Sequence, residues 1–266
     1  VFNSKKKIRY KDVVNVKPGE IKFVPVNNLQ DQLSPHVNNH KNLPDWFKDL
    51  GKHHGSIRSC AGTMDFLTSG VTMRFWTNAY FSPTMSESSK WTVEMDSVGH
   101  HPFSYAMEFF KYDQVGKCPI SQGRMIEKAA FPKMVNPWNV ITAPGWSTMV
   151  LPVQYEDNPN YETIPAIVNT DYYHTLNWVL KIKTDQPFQI DVGTPIMHLV
   201  PFKRDSDFSK VIIGDESERQ HLMHRGLGKF QVMARGSSGK AYRIIETQMN
   251  KFLKNPKNID REDLGF

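Results

Sequence analysis

The stretch from Val140 to Val200 constrains the fold most. Short runs rich in β-branched and apolar residues recur there: Val140-Ile141-Thr142, Met149-Val150-Leu151, Ala166-Ile167-Val168, Trp178-Val179-Leu180-Lys181-Ile182 and Ile196-Met197-His198-Leu199-Val200. Proline, glycine and asparagine interrupt them every 8 to 14 residues. Each run is long enough for a strand and too short for a helix. Strands at that spacing fit a sandwich or barrel rather than a βαβ fold, which needs helical periods between its strands. Pro144-Gly145, directly ahead of one run, reads as a type II turn with glycine at the φ > 0 position.

Other segments extend the β-rich reading. Ile21-Lys22-Phe23-Val24-Pro25-Val26 reads as a strand closed by proline. Val71 to Trp76 and Trp91 to Met95 have β-propensity and period-two character, with Ser82 to Lys90 between them read as a loop. Asp45 to Leu50 reads as one or two helical turns stopped at Gly51. Near the end, Asp215 to His224 has acids in its first turn and Gly226 just beyond, and Tyr242 to Leu253 places Ile244, Ile245, Met249, Phe252 and Leu253 largely on one face. Both predict short helices. The expected organisation is one domain over 1–266, with a β-rich elaboration at 1–130, a β core at 131–210 and a helical segment at 211–266.

Composition excludes several classes. With 39% hydrophobic and 12% aromatic residues over 266 positions, the chain can bury a substantial core. No apolar run approaches the roughly 20 residues that span a bilayer, so no membrane role is expected. Val1-Phe2-Asn3-Ser4-Lys5-Lys6-Lys7 has no apolar h-region, so a secretory signal is not expected either. Two cysteines, Cys60 and Cys118, are too few for a disulfide scaffold, and their plain reading is two reduced thiols of an intracellular protein. The net charge of +6 permits an anionic partner. Lys5, Lys6, Lys7, Arg9 and Lys11 form a basic arm, either a solvated terminus or a contact for nucleic acid.

Motifs with committed chemistry are missing. The sequence has no Walker A loop, GxSxG elbow, HExxH or EF-hand pattern. Of the ten histidines, His221 and His224 have i, i+3 spacing, His53-His54 and His100-His101 are adjacent, and His36 and His40 lie in a polar segment. An HxxH pair needs further ligands converging from elsewhere, so no metal site is expected.

Order and spacing across the centre carry a resemblance. Pro144-Gly145-Trp146-Ser147-Thr148-Met149-Val150-Leu151-Pro152, then Ala166-Ile167-Val168-Asn169-Thr170-Asp171-Tyr172, then Phe188 to Val200 resemble successive motifs of the trimeric dUTPase family. Arg225-Gly226-Leu227-Gly228-Lys229-Phe230 resembles the opening of that family's phosphate-covering motif. The resemblance implies a dUTPase-like β-sandwich or barrel, mainly β, with N-terminal additions and short C-terminal helices, assembled as a homo-oligomer. The chemistry does not carry over. Val153 and Gln154 stand where the family has arginine and serine, and Asn169 stands where an aspartate holds the attacking water. An amide is a poor base. Asp171 is kept, at a position whose role in the family is chiefly structural. Gln231-Val232-Met233 replaces the small residues of the phosphate motif, and Arg235 to Lys240 reads as an ordinary loop.

A second likeness joins Asn136-Pro137-Trp138 to Ser147, Asn169 to Tyr173, Gly193-Thr194-Pro195-Ile196 and Pro201-Phe202-Lys203-Arg204. These segments resemble a group of proteins from tailed phages and marine bacteria, a group that brings a viral context and no activity. The expected function is therefore a non-catalytic phage protein, a structural or binding module and virion component, located in the host cytoplasm or the particle. Its partners would be further copies or other viral structural proteins, and no cofactor is expected. The alternative is a nucleotide hydrolase related to dUTPase or dCTP deaminase, or a nucleotide-binding protein, with a rearranged site and Mg²⁺. Candidate ligand-binding residues are Asn169, Asp171, Tyr172 and Arg225, with Tyr172 stacking on a base and Arg225 holding phosphate.

Overall fold

The computed structural model describes residues 9–26, 35–53, 56–85, 91–97, 107–109, 131–134, 136–153, 155, 157–204, 211–222, 243 and 247. It is mainly β, as the sequence predicts, and every strand pairing is antiparallel. The strands are β1 (Ile21–Pro25), β2 (His36–Val37), β3 (Val71–Arg74), β4 (Ala79–Met85), β5 (Trp91–Ser97), β6 (Met107–Phe109) and β7 (Pro132–Met134), followed by β8 (Trp138–Thr142), β9 (Trp146–Leu151), β10 (Tyr161–Thr163), β11 (Ala166–Val168), β12 (Trp178–Ile182), β13 (Phe188–Ile190) and β14 (Pro195–Lys203). They form ladders ordered β11-β9-β14-β3-β2, β10-β12-β7-β6, β13-β4-β5 and β1-β8. Each predicted central run became a strand, and strands from before residue 130 pair with strands from after it.

The chain divides into two compact units. One contains residues 1–37 and 70–206, and the other contains 38–69 and 207–266. The first holds all the strands among the described residues. Its core follows from residue pattern: Trp178, Leu180 and Ile182 alternate inward along β12, at 4% exposure or less. Strand β14 is central in its sheet and reads as a nearly continuous apolar run, with Ile196, Met197, His198 and Leu199 all buried. Aromatic rings anchor the core. Phe75 stacks on Trp76 at 4.5 Å, and Trp178 meets Trp76 edge-on at 4.8 Å. Phe81 stacks on Phe188 at 5.1 Å and joins β13 to β4.

Two local features depart from the reading of the sequence. Ser82 to Met85 continue β4 instead of opening a loop, with Ser82 opposite Glu94 and Pro83 opposite Val93. Proline is tolerated there because β13 pairs with Ala79, Tyr80 and Phe81, so among the described residues the ladder beyond Phe81 has a partner on one side. The residues predicted to form the rest of that loop, 86–90, lie outside the described residues. Gly70, ahead of β3, was not singled out and is fixed by geometry: its φ is +63°, and a Cβ would sit 2.1 Å from the Leu199 carbonyl oxygen.

The second unit carries the helices α2 (Asp45–Asp49), α3 (Ala61–Leu67) and α4 (Glu216–Leu222); α1 (Tyr10–Val13) belongs to the first. Helix α2 does not end on a left-handed glycine. Leu50 leaves it in extended conformation, and the Arg58 guanidinium takes the carbonyls of Lys48 and Leu50. Phe47 is fully buried. Asn38 Nδ2 donates to the Ser69 carbonyl at 2.9 Å and ties together the two ends of the 38–69 excursion. Arg243 pairs with Asp65. Asp215 caps α4 by accepting from the backbone N–H groups of Ser217 and Glu218. The helix predicted at 242–253 falls almost wholly outside the described residues; Arg243 and Thr247 within it are helical. No helix among the described residues is long and apolar enough to cross a membrane.

Trp178 touches both Phe75 and Trp76 and is fully buried. Trp178→Ala is expected to cost about 3–5 kcal/mol of stability, read as a lower urea midpoint. A change below about 1 kcal/mol would show that the aromatic cluster does not organise the core.

Candidate functional site

Three segments meet at one end of β9. The first is the turn Ala143-Pro144-Gly145-Trp146 between β8 and β9. It is closed by Trp146 N–H to the Ala143 carbonyl at 3.1 Å, with Gly145 at φ +80°, as a type II turn requires. The second is Asn169 to Tyr173, which follows β11. There Tyr173 N–H returns to the Asn169 carbonyl at 2.9 Å and folds the segment back. The third is Arg204, one residue past β14. The β9–β14 ladder puts Lys203 opposite Trp146, and Arg204 N–H then donates to the Gly145 carbonyl at 2.9 Å.

At the junction Arg204 and Asp171 form a two-pronged ion pair, Nη1 to Oδ1 at 2.8 Å and Nη2 to Oδ2 at 2.5 Å. Asp171 Oδ2 also accepts the Gly145 N–H at 2.9 Å. The Asp171 side chain is 9% exposed and that of Arg204 is 32% exposed. Arg204 Nη1 reaches further, to the Trp146 carbonyl and the Ser147 hydroxyl, both at 3.0 Å. Ser147 donates to Asn169 Oδ1 at 2.7 Å, and Asn169 Nδ2 donates to the Tyr172 hydroxyl. Arg204 also lies 5.7 Å from the centre of the Tyr172 ring. One connected network therefore holds Asn169, Asp171 and Tyr172.

Below it lies a buried set of hydroxyls. Thr170 Oγ1 lies 2.8 Å from both Thr142 Oγ1 and Thr148 Oγ1, so the three threonines satisfy one another. His174 continues the network with Nδ1 3.1 Å from the Thr170 carbonyl and Nε2 2.8 Å from the Tyr10 hydroxyl. A carbonyl only accepts, so Nδ1 carries a proton; in the neutral ring Tyr10 then donates to Nε2.

Of the four candidate residues, the structure brings together Asn169, Asp171 and Tyr172; Arg225 lies outside the described residues. The sequence reading missed Arg204, Ser147, His174 and the three threonines. Arg204 sits in the Pro201-Phe202-Lys203-Arg204 run, but nothing in that run names Asp171 as its partner. Only the strand register does.

The electrostatics follow from the contacts. Hydrogen bonds from Arg204 hold the Asp171 carboxyl below the usual carboxylate range against the pull of burial, and the Gly145 N–H lowers it further. The same pair raises the Arg204 guanidinium. A carboxylate with a lowered pKa and three donors already in place is a poor proton acceptor. The neighbouring amide of Asn169 carries no charge and is engaged on both its oxygen and its nitrogen. Among the described residues no group of three or more His, Cys, Asp or Glu side chains could hold a metal ion. Of the histidines considered as ligands, His54, His100, His101 and His224 lie outside the described residues. Cys60 is a free, exposed thiol.

No protein-family model matches the chain, and no curated protein matches it in sequence.

Because the folded pKa of Asp171 is lowered, its contribution to stability is fully present above the unfolded value of about 3.9. It is lost as pH falls through the folded value. Asp171→Asn is therefore expected to lower the urea midpoint at pH 7 and to flatten the fall of stability below about pH 5. Equal slopes for the two proteins would show that Asp171 is not held as an ion.

Proposed function

We propose that the chain is a non-catalytic viral protein, a phage structural or binding module built on a dUTPase-like β framework. One observation carries the reading: the polar residues at the position of the resembled catalytic motif spend their hydrogen-bonding capacity on one another. Asp171 holds three donors, two from Arg204 and one from the Gly145 N–H, and Asn169 is held between Ser147 and Tyr172. Val153 and Gln154 add to this, since neither supplies the phosphate contact of the resembled family. In this reading the cluster is a clasp that joins three loops, and the viral context comes from the likeness across 136–204. The fold alone does not argue for the activity of the family it resembles.

With Mg²⁺ and a panel of deoxynucleoside triphosphates, the protein is expected to show no turnover above a buffer control. It is expected to be found by mass spectrometry in purified particles of a phage that encodes it. Turnover abolished by Asp171→Ala in a variant that still folds would establish the nucleotide hydrolase instead. Calorimetric binding of a nucleotide without turnover, lost in Tyr172→Ala, would establish a ligand-binding protein.

A further inference from the structure

The corner of the first unit that holds the clasp also gathers exposed tyrosines and a surplus of positive charge. Helix α1 is fastened there at two points. The Tyr10 hydroxyl meets His174 Nε2 at 2.8 Å, and Lys22 of β1 donates its ammonium to the Val13 carbonyl at 2.7 Å. A turn closed by Glu20 N–H to the Lys17 carbonyl leads into β1, whose Ile21 lies opposite Thr142 at the end of β8. That turn therefore comes to the same end of β8 as the turn at Gly145. The surface of the corner is made of residues 9–22, 143–146, 169–175 and 203–204.

Three aromatic rings stand out from it. Tyr10, Tyr172 and Tyr173 are 66%, 65% and 52% exposed. The first two are held at their polar ends, Tyr10 by His174 and Tyr172 by Asn169, so each ring is positioned while most of its area stays in water. Arg204 lies over one face of the Tyr172 ring. The Tyr173 side chain has no hydrogen bond among the described residues. A ring already fixed at one end gives up little freedom when a flat partner settles on it.

The charge of the same segments is one-sided. Arg9, Lys11, Lys17, Lys22, Lys203 and Arg204 stand against three carboxylates, Asp12, Glu20 and Asp171. Two of those carboxylates are already matched within the corner, Asp12 by Arg9 and Asp171 by Arg204, and Glu20 accepts the Lys17 backbone N–H. Lys11 and Lys17 are exposed, and neither ammonium has a partner among the described residues.

We propose that this corner binds single-stranded nucleic acid, with the tyrosine rings stacking on bases and Lys11 and Lys17 taking phosphates. A surplus of cations favours a polyanion, and exposed ring faces favour one that carries flat, unpaired bases. A duplex keeps its bases stacked inside and would offer only its phosphates. An acidic peptide would meet the charge and leave the rings without a flat partner. Such binding needs neither a viral source nor an idle Asp171, so it goes beyond the proposed function, and its failure would leave that reading as it stands.

Fluorescence anisotropy of a labelled oligothymidylate, titrated with the full chain over a salt series, tests this. The chain is expected to bind, and log affinity to fall with log salt by about 0.7 for each phosphate contacted. Tyr173→Ala is expected to weaken binding about fivefold or more, and Lys11→Gln to make the salt slope shallower by about 0.7. Both variants change exposed side chains without hydrogen-bond partners among the described residues, so both are expected to keep the urea midpoint of the parent. A chain that does not bind the strand at low salt would overturn the proposal. So would equal affinity for the strand annealed to its complement, equal affinity for thymidine monophosphate, or binding unchanged in either variant.

Discussion

Strand β14 is the constraint on which the rest of the first unit depends. It is the longest strand among the described residues, and it is held on one side by β3 and on the other by β9. Its central residues are buried and fix the core of that sheet. Its first residues contain a register shift between Pro195 and Met197, and just past its last residue comes Arg204, the cation of the clasp. One strand thus sets two distant features through its register. Sliding it by a single residue would exchange the side chains of its two buried faces and take Arg204 away from Asp171.

In the proposed reading the clasp is a structural cluster built from residue types that resemble a site. Its members are of residue types that do chemistry elsewhere: aspartate, arginine, histidine, tyrosine and serine. Each is committed to a partner within a few ångströms, and the threonines beneath leave no hydroxyl of their group unmatched. A catalytic group needs a pKa near its working pH and an open side toward substrate. Asp171 is shifted away from that range, and its oxygens already hold three donors.

Much of the fold was legible in the sequence because it is written in local terms. Apolar runs of strand length between proline and glycine gave β1, β3, β11 and β12 with bounds close to those observed, whereas β9 starts at Trp146 and β14 runs on to Lys203, well beyond the runs that marked them. The Pro144-Gly145 turn was legible for the same reason, since its geometry depends on two adjacent residues. Legibility ended where partners are distant. Asp171 and Arg204 are thirty-three positions apart, and their meeting follows from the pairing of β14 with β9. Arg58 closing α2 is a similar case: Gly51 was the local signal, and a side chain from outside the helix made the stop. Pro83 misled in the opposite direction. Its residue type argues for a loop, but among the described residues only one side of it is paired, which lets it remain in a ladder.

The turn at Gly145 has a mechanical consequence. Its N–H is held by Asp171 and its carbonyl by the backbone of Arg204, so the same residue is gripped from β11's exit and from β14's exit. A hairpin turn ordinarily restrains only the two strands it joins. This one is a rivet through four, because β8 and β9 enter it from the chain while β11 and β14 are fastened to it from outside. Strain applied to any of these strand ends is shared by all four, and that end of the unit yields as a block or not at all.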